Sequence, residues 1–165
     1  MLDGSDIMLE KAKESLSGDN FEYIHQTFES FIDEPVEAST YDFICSSNAI
    51  HHLDHTEKEQ LYNKMYKALK SNGLFINIDP VLPNSSLSEK YQFQLWVDWI
   101  NNNLKDHGSQ DKIGKYDHTP NSYKDKDENK PSKLSTQLSM LENVGFKDVD
   151  CFYKYGVFAV FGGTK

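Results

Sequence analysis

The sequence predicts an α/β fold built on a mostly parallel sheet. Two short apolar runs, Phe43-Ile44-Cys45 and Leu74–Ile78, flank an amphipathic helix. Strands that alternate with helices in this way are the signature of parallel pairing through helical crossovers. The first run has the composition of a strand buried on both faces. Near the end of the chain, Val149–Tyr153 and Gly156–Phe161 make two closing strands joined by a tight Lys154-Tyr155 turn.

Each element has a local cause. Ser5 or Asp6 caps a first helix whose apolar stripe is Met8, Leu9, Ala12 and Leu16, with Gly18 as its stop. Phe21–His25 alternates as a second short strand, and Phe28–Ile32 forms a helical turn ended by Pro35. After the central strand, Thr56-Glu57-Lys58-Glu59 provides a capping box. The helix it opens carries Leu61, Tyr62, Met65, Tyr66 and Leu69, and Asn72-Gly73 ends it. Ser85 or Ser86 caps a further helix bearing Leu87, Tyr91, Leu95, Trp96, Trp99 and Leu104; Trp96 and Trp99 are expected in the core. Residues 107–133 are polar and nearly free of aliphatics, which predicts a loop or lid. A last helix, Leu134–Val144, stops at Gly145.

Composition narrows the function. With 165 residues and 38% hydrophobic content, the chain suits a single domain, 1–165, with one core. The net charge is −9, and all 17 basic residues are Lys. Polyanion binding wants clustered cations, and base readout favours Arg, so nucleic acid is not the expected partner. Cys45 and Cys151 sit in apolar runs and are expected as small core residues in a reducing compartment. No run reaches the ~18 apolar residues of a membrane span, and no leader precedes the first helix, so a cytoplasmic protein with no membrane partner is expected.

The candidate chemistry gathers where strands end. Asp3 follows a strand-like Met1-Leu2, where a carboxylate can accept from ribose hydroxyls or simply cap the next helix. Ser46-Ser47-Asn48 leaves the central strand in small polar residues that let a ligand approach the backbone. His51 and His52 point about 100° apart on a helix, and the HHLDH run lacks zinc-site spacing, so no metal is expected. Either histidine suits acid–base work. Asp79 ends the last parallel strand and faces the same rim. Tyr91, Trp96, Trp99, Tyr116, His118 and Tyr123 are available to roof a pocket. The chain shows no Gly-rich phosphate loop, nucleophile elbow or C-x-x-C pair.

The order of the pieces resembles a known family. Leu2–Lys13, LDGSDIMLEKAK, resembles the second motif of class I S-adenosylmethionine-dependent methyltransferases. Tyr41–Leu53, YDFICSSNAIHHL, resembles their fourth motif, and Tyr66–Ile78 the segment that follows it. Leu141–Gly163 is similar to the antiparallel hairpin that closes the fold. The resemblance implies a Rossmann-like methyltransferase sheet and direct methyl transfer to a small-molecule acceptor. It also implies roles for residues. Asp3 binds the ribose, Ser5 and Met8 lie near the adenosine, and Thr27 and Phe28 occupy the adenine position, where the family often has an acid. Ser47, Asn48 and Ala49 border the methionine moiety, and His52 or His51 serves as the catalytic base. Acceptor specificity is expected in Asn84–Lys133.

The departure from the family pattern concerns its first motif, a strand and Gly-rich loop expected ~20 residues before Asp3. The chain begins at Met1, so an N-terminally truncated sheet without the first strand is expected. Weak or absent binding of S-adenosylmethionine by this chain alone follows, as does self-association through unpaired strand edges. The alternative expectation is a non-catalytic methyltransferase-fold remnant or interaction module.

Overall fold

A computed structural model describes residues 1–165 apart from Ser17 and Asp19. Its elements are β1 (Leu2–Asp3), α1 (Asp6–Ser15), β2 (Ile24–His25), α2 (Phe28–Asp33), β3 (Tyr41–Ser47) and a 3-10 turn, Ile50–His52. Next come α3 (His55–Ala68), β4 (Leu69–Pro80), α4 (Ser86–Asp106) and a second 3-10 turn, Gln110–Lys112. The chain closes with α5 (Thr119–Asp125), α6 (Leu134–Val144), β5 (Lys147–Tyr155) and β6 (Phe158–Thr164).

The strands form two sheets, a parallel pair β1-β2 and a four-stranded sheet ordered β3-β4-β6-β5. β3 and β4 run parallel, with Ile44 opposite Phe75 and Ser46 opposite Asn77. β6 returns antiparallel to β4 and pairs with β5. The α/β class and the closing antiparallel hairpin are as the sequence predicts. Gly162 shows why the β4–β6 contact tolerates no side chain, since a Cβ there would lie 1.9 Å from the Phe75 carbonyl oxygen.

The core lies between the larger sheet and α3 and α6. Leu61, Tyr62, Leu69, Phe75, Leu141 and Phe161 are all fully buried in it. Phe75 stacks obliquely on Tyr62 and Phe146, each with ring centroids 5.7 Å away. β1 and α1 contribute nothing to this cluster; Leu9 is the sole buried residue of α1.

Several local expectations need correction. β3 is not buried on both faces: Tyr41 and Phe43 are 51% and 52% exposed, because among the described residues β3 pairs only with β4. Both cysteines are free thiols; Cys45 is exposed rather than core filler, whereas Cys151 is partly buried and packs against the core. The capping box of α3 is formed by Asp54 and Glu57, one turn-start earlier than Thr56. α1 ends at Ser15, before Gly18, and the hairpin turn falls at Gly156-Val157, where Gly156 takes φ 57°. β4 begins at Leu69 rather than Leu74, since Leu69 already pairs with Tyr41. No residue of α4 is fully buried, and Trp99 is 51% exposed, outside the core.

Segment 107–133 is organised by two short helices, the second started by Pro120 near its N-terminus, where the missing N–H is harmless. Four hydrogen bonds then hold its last residues against the 3-10 turn that follows β3, against Leu82 just after β4, and against α3. His51 O accepts from Lys130 N at 2.7 Å, and Leu82 N donates to Ser132 O at 3.0 Å. His52 Nδ1 donates to Glu128 O at 2.9 Å, and Lys58 Nζ to Lys130 O at 2.5 Å. No helix among the described residues is long and apolar enough to cross a membrane.

Candidate active site

The turns that follow β1, β2 and β3, strands of two parallel pairs, together enclose a cavity of about 550 Å³. In open α/β sheets such strand ends are where ligands bind. The β1–α1 turn contributes Asp3, Gly4, Ser5 and Met8. The β2–α2 turn contributes Gln26, Thr27, Phe28 and Glu29, and the β3 turn contributes Ser47, Asn48, Ala49 and His52. All eight residues predicted for the cofactor therefore line one cavity.

Local chemistry holds each turn. Asp3 Oδ1 accepts the Ser5 N–H at 2.8 Å, which fixes the carboxylate and leaves Oδ2 to accept from a ligand. Ser5 in turn caps α1 through Met8 N, and Thr27 caps α2 through Ser30 N. The cap of α1 is thus Ser5 rather than Asp3, whose carboxylate braces the capping residue's backbone. Asn48 sits at φ 50°, a left-handed conformation that Asn tolerates better than most residues. Its N–H continues the ladder to Ile78 O at 2.8 Å, so the sharp turn is anchored to β4. The lining carries two carboxylates, Asp3 and Glu29, and no Lys. Such a lining favours a cationic or neutral ligand over an anionic one.

The two histidines part company. His52 stands on the cavity wall, and its Nδ1 gives its proton to the Glu128 carbonyl, which can only accept; Nε2 is therefore the unprotonated nitrogen of the neutral ring. His51 lies behind it, 7% exposed, with ring centroids 4.1 Å apart. Its Nδ1 donates to Asp79 Oδ1 at 2.7 Å, and Asp79 is fully buried. Asp79 therefore does not face the rim as its strand position suggests: it is buried behind the wall and bound to His51. Of the predicted roof, Trp96 and Tyr123 pack together with ring centroids 5.5 Å apart, whereas Tyr91, Trp99 and Tyr116 face solvent.

Sequence reasoning missed Gln26 and Glu29, which flank the Thr27-Phe28 pair it found, and Lys58, hidden on a helix that reads as amphipathic. Lys58 is fully buried, with its ammonium donating to the carbonyl oxygens of Leu53 and Lys130. Burial pushes its pKa down to about 8, against the opposing pull of Asp79 and Asp54. Burial, and then the charge of Asp79, push the Tyr123 phenol up. Among the described residues no cluster of His, Cys, Asp and Glu could hold a metal. A larger groove of about 890 Å³ lies between α2, α3 and α6, away from the strand ends.

Residues 1–73 match the family model described as a methyltransferase domain. The carboxy-S-adenosyl-L-methionine synthase of Nautilia profundicola is 21% identical over 99% of this chain and 65% of its own length. A SAM-dependent methyltransferase of Archaeoglobus fulgidus has the same fold at TM-score 0.63 and 14% identity, covering 99% of this chain and 74% of that one. PigF, solved with SAH, gives TM-score 0.57 at 14% identity over 96% of this chain and 40% of its own. The chain thus spans under two thirds of the length of the curated relative and of PigF.

Proposed function

Taking the chain as a class I S-adenosylmethionine-dependent methyltransferase by fold and by motif order, we propose that it moves a methyl group from S-adenosylmethionine to a small-molecule acceptor. One observation supports this most: eight residues from three separate turns converge on one cavity at the strand ends. Asp3 would accept from the ribose hydroxyls, and Ser5 and Met8 would pack on the adenosine. Thr27 and Phe28 would border the adenine, with Glu29 and Gln26 offering acceptors to its amine. Ser47, Asn48 and Ala49 would lie along the methionine part.

The bound cofactor supplies an activated methyl on a positive sulfur, so the protein's contribution is placement. The cavity residues would hold the methyl so that the acceptor atom could attack its carbon in line, with the carbon–sulfur pair going to sulfur. His52 Nε2, on the wall and free to accept, takes the acceptor's proton where one must leave. His51, held by Asp79, keeps the neighbouring ring fixed.

The curated relative is by name a carboxy-S-adenosylmethionine synthase, whose product bears an added carboxylate. A lining with Asp3 and Glu29 and no Lys supports the plain sulfonium cofactor instead. The same lack of a cation leaves the methionine carboxylate without an ion-pair partner, which supports weak binding by this chain alone. The alternative, a methyltransferase-fold module that pairs with a partner strand, is favoured by the open edge of β3 and its exposed Tyr41 and Phe43.

Calorimetric titration with S-adenosylmethionine and S-adenosylhomocysteine tests the assignment. Dissociation constants weaker than micromolar are expected. Asp3→Ala should weaken binding at least tenfold, about 1.4 kcal/mol, with the fold intact. An unchanged affinity in Asp3→Ala would refute the ribose role.

A further inference from the structure

Behind the His52 wall lies a second arrangement that the cofactor does not use. Asp79 is fully buried in β4, and only one of its oxygens is satisfied, by His51. Among the described residues Oδ2 is buried without a partner. A carboxylate oxygen in that state costs free energy unless something fills the role of donor. Lys58 feels the charge but spends its ammonium on the carbonyl oxygens of Leu53 and Lys130. The described residues place no Lys within ion-pair distance of Asp79.

From His51, the partner of Asp79, an unbroken chain of aromatic rings runs on, and its next member, Tyr123, feels the Asp79 charge. His51 and Tyr123 have centroids 5.4 Å apart, Tyr123 and Trp96 5.5 Å, and Trp96 and Phe158 4.9 Å. The Tyr123 hydroxyl is likewise buried with no partner. A buried carboxylate backed by aromatic faces is the chemistry that holds an organic ammonium, by charge on one side and by cation–π attraction on the other.

We propose that this cluster is the acceptor subsite and that the methyl acceptor is a small aromatic or aliphatic amine. The proposal rests on the methyl-transfer assignment of the neighbouring cavity, to which His52 connects it. The ammonium binds Asp79 Oδ2 and lies against Tyr123 and Trp96. Asp79 is fully buried, so the amine enters by a shift of α5, which carries Tyr123. That helix is tied to the body by the Lys124–Glu89 ion pair and by Asn129 Nδ2 on the Tyr123 carbonyl, not by sheet bonds. Before transfer the ammonium gives one proton to His52 Nε2, the base on the cavity wall. The freed nitrogen pair attacks the methyl carbon, and the carbon–sulfur pair goes to sulfur. The products are a methylated ammonium and a neutral thioether, and His52 returns its proton to solvent.

The probes are 2-phenylethylamine and its neutral isostere 2-phenylethanol. Both are titrated against the Trp99→Phe protein, in which Trp96 is the sole fluorophore of its kind; Trp99 is 51% exposed and outside the cluster. The amine should change Trp96 emission and bind at least tenfold more tightly than the alcohol. Asp79→Asn should erase that preference, while Tyr123→Phe, which keeps the ring, should retain it. Equal binding of both probes, binding of neither, or a preference that survives Asp79→Asn would overturn the proposal. If Asp79→Asn does not fold, the amine-to-alcohol ratio in the Trp99→Phe background, with and without Tyr123→Ala, decides alone, and the ratio should fall on loss of the ring. S-adenosylhomocysteine titrated in parallel separates the two ideas. Cofactor binding without amine preference sinks the subsite only, and amine preference without cofactor binding sinks the cavity's assignment only.

Discussion

The two sides of the cavity are built to different standards. The β3 side stands on the four-stranded sheet and the aromatic core, with Phe75 and Phe161 fully buried beneath it. The β1–β2 side is a two-residue parallel pair whose strands are half-buried or exposed, and it adds no residue to that core. Local stability follows buried contact, so the side that would hold the ribose and adenine should open far more readily than the side that would hold the methyl group. A cofactor that bridges both would tie the weaker side to the stronger.

The largest expected effect breaks the strong side. Phe75→Ala removes a ring that packs on Tyr62 and Phe146 and should cost about 3–5 kcal/mol in denaturant unfolding. Both sides of the cavity should be lost with it. Leu9→Ala should behave differently, because Leu9 is buried but lies outside the main cluster. A loss of about 2–3 kcal/mol is expected there, confined to the β1–α1 side. Hydrogen exchange should show faster amides in residues 2–15 and unchanged protection in β4 and β6. Uniform loss of protection would show that the two sides unfold as one.

A smaller effect concerns Lys58, which ties α3 to the strap at residues 128–132. Its pKa is about 8 in the folded protein, below the ordinary 10.5, so the unfolded chain binds more protons between those values. Stability should therefore be flat below pH 8 and should rise as pH climbs from about 8 toward 10.5. Lys58→Met should flatten that rise, as thermal melts across the range would show, and should loosen the strap. A slope that persists in Lys58→Met would assign it to another group.

The contrast also explains what could be read from the residues alone. Strand and helix order, the α6 stop at Gly145 and the eight cavity residues were legible, because caps, turns and apolar runs are local and the motif order is distinctive. The state of β3 was not. FIC has the composition of a buried strand, yet its exposure depends on which strands lie beside it, and that is not a local property. His51 and His52 are adjacent and chemically identical, so only the tertiary placement of Asp79 and Glu128 tells them apart. Lys58 was hidden for a similar reason: its partners are backbone carbonyls, one of them, Lys130, far along the chain. In segment 107–133, the polar composition outweighed the one helix-start signal, Pro120.

The central claim, that the cavity at the three strand ends receives the cofactor, is tested most directly by amide chemical-shift mapping during titration with S-adenosylhomocysteine. Weak binding suits this method. Shifts concentrated in residues 3–8, 26–29 and 47–52, and absent in Asp3→Ala, are the predicted result. Shifts centred on the groove between α2, α3 and α6, or none at millimolar ligand, would contradict it.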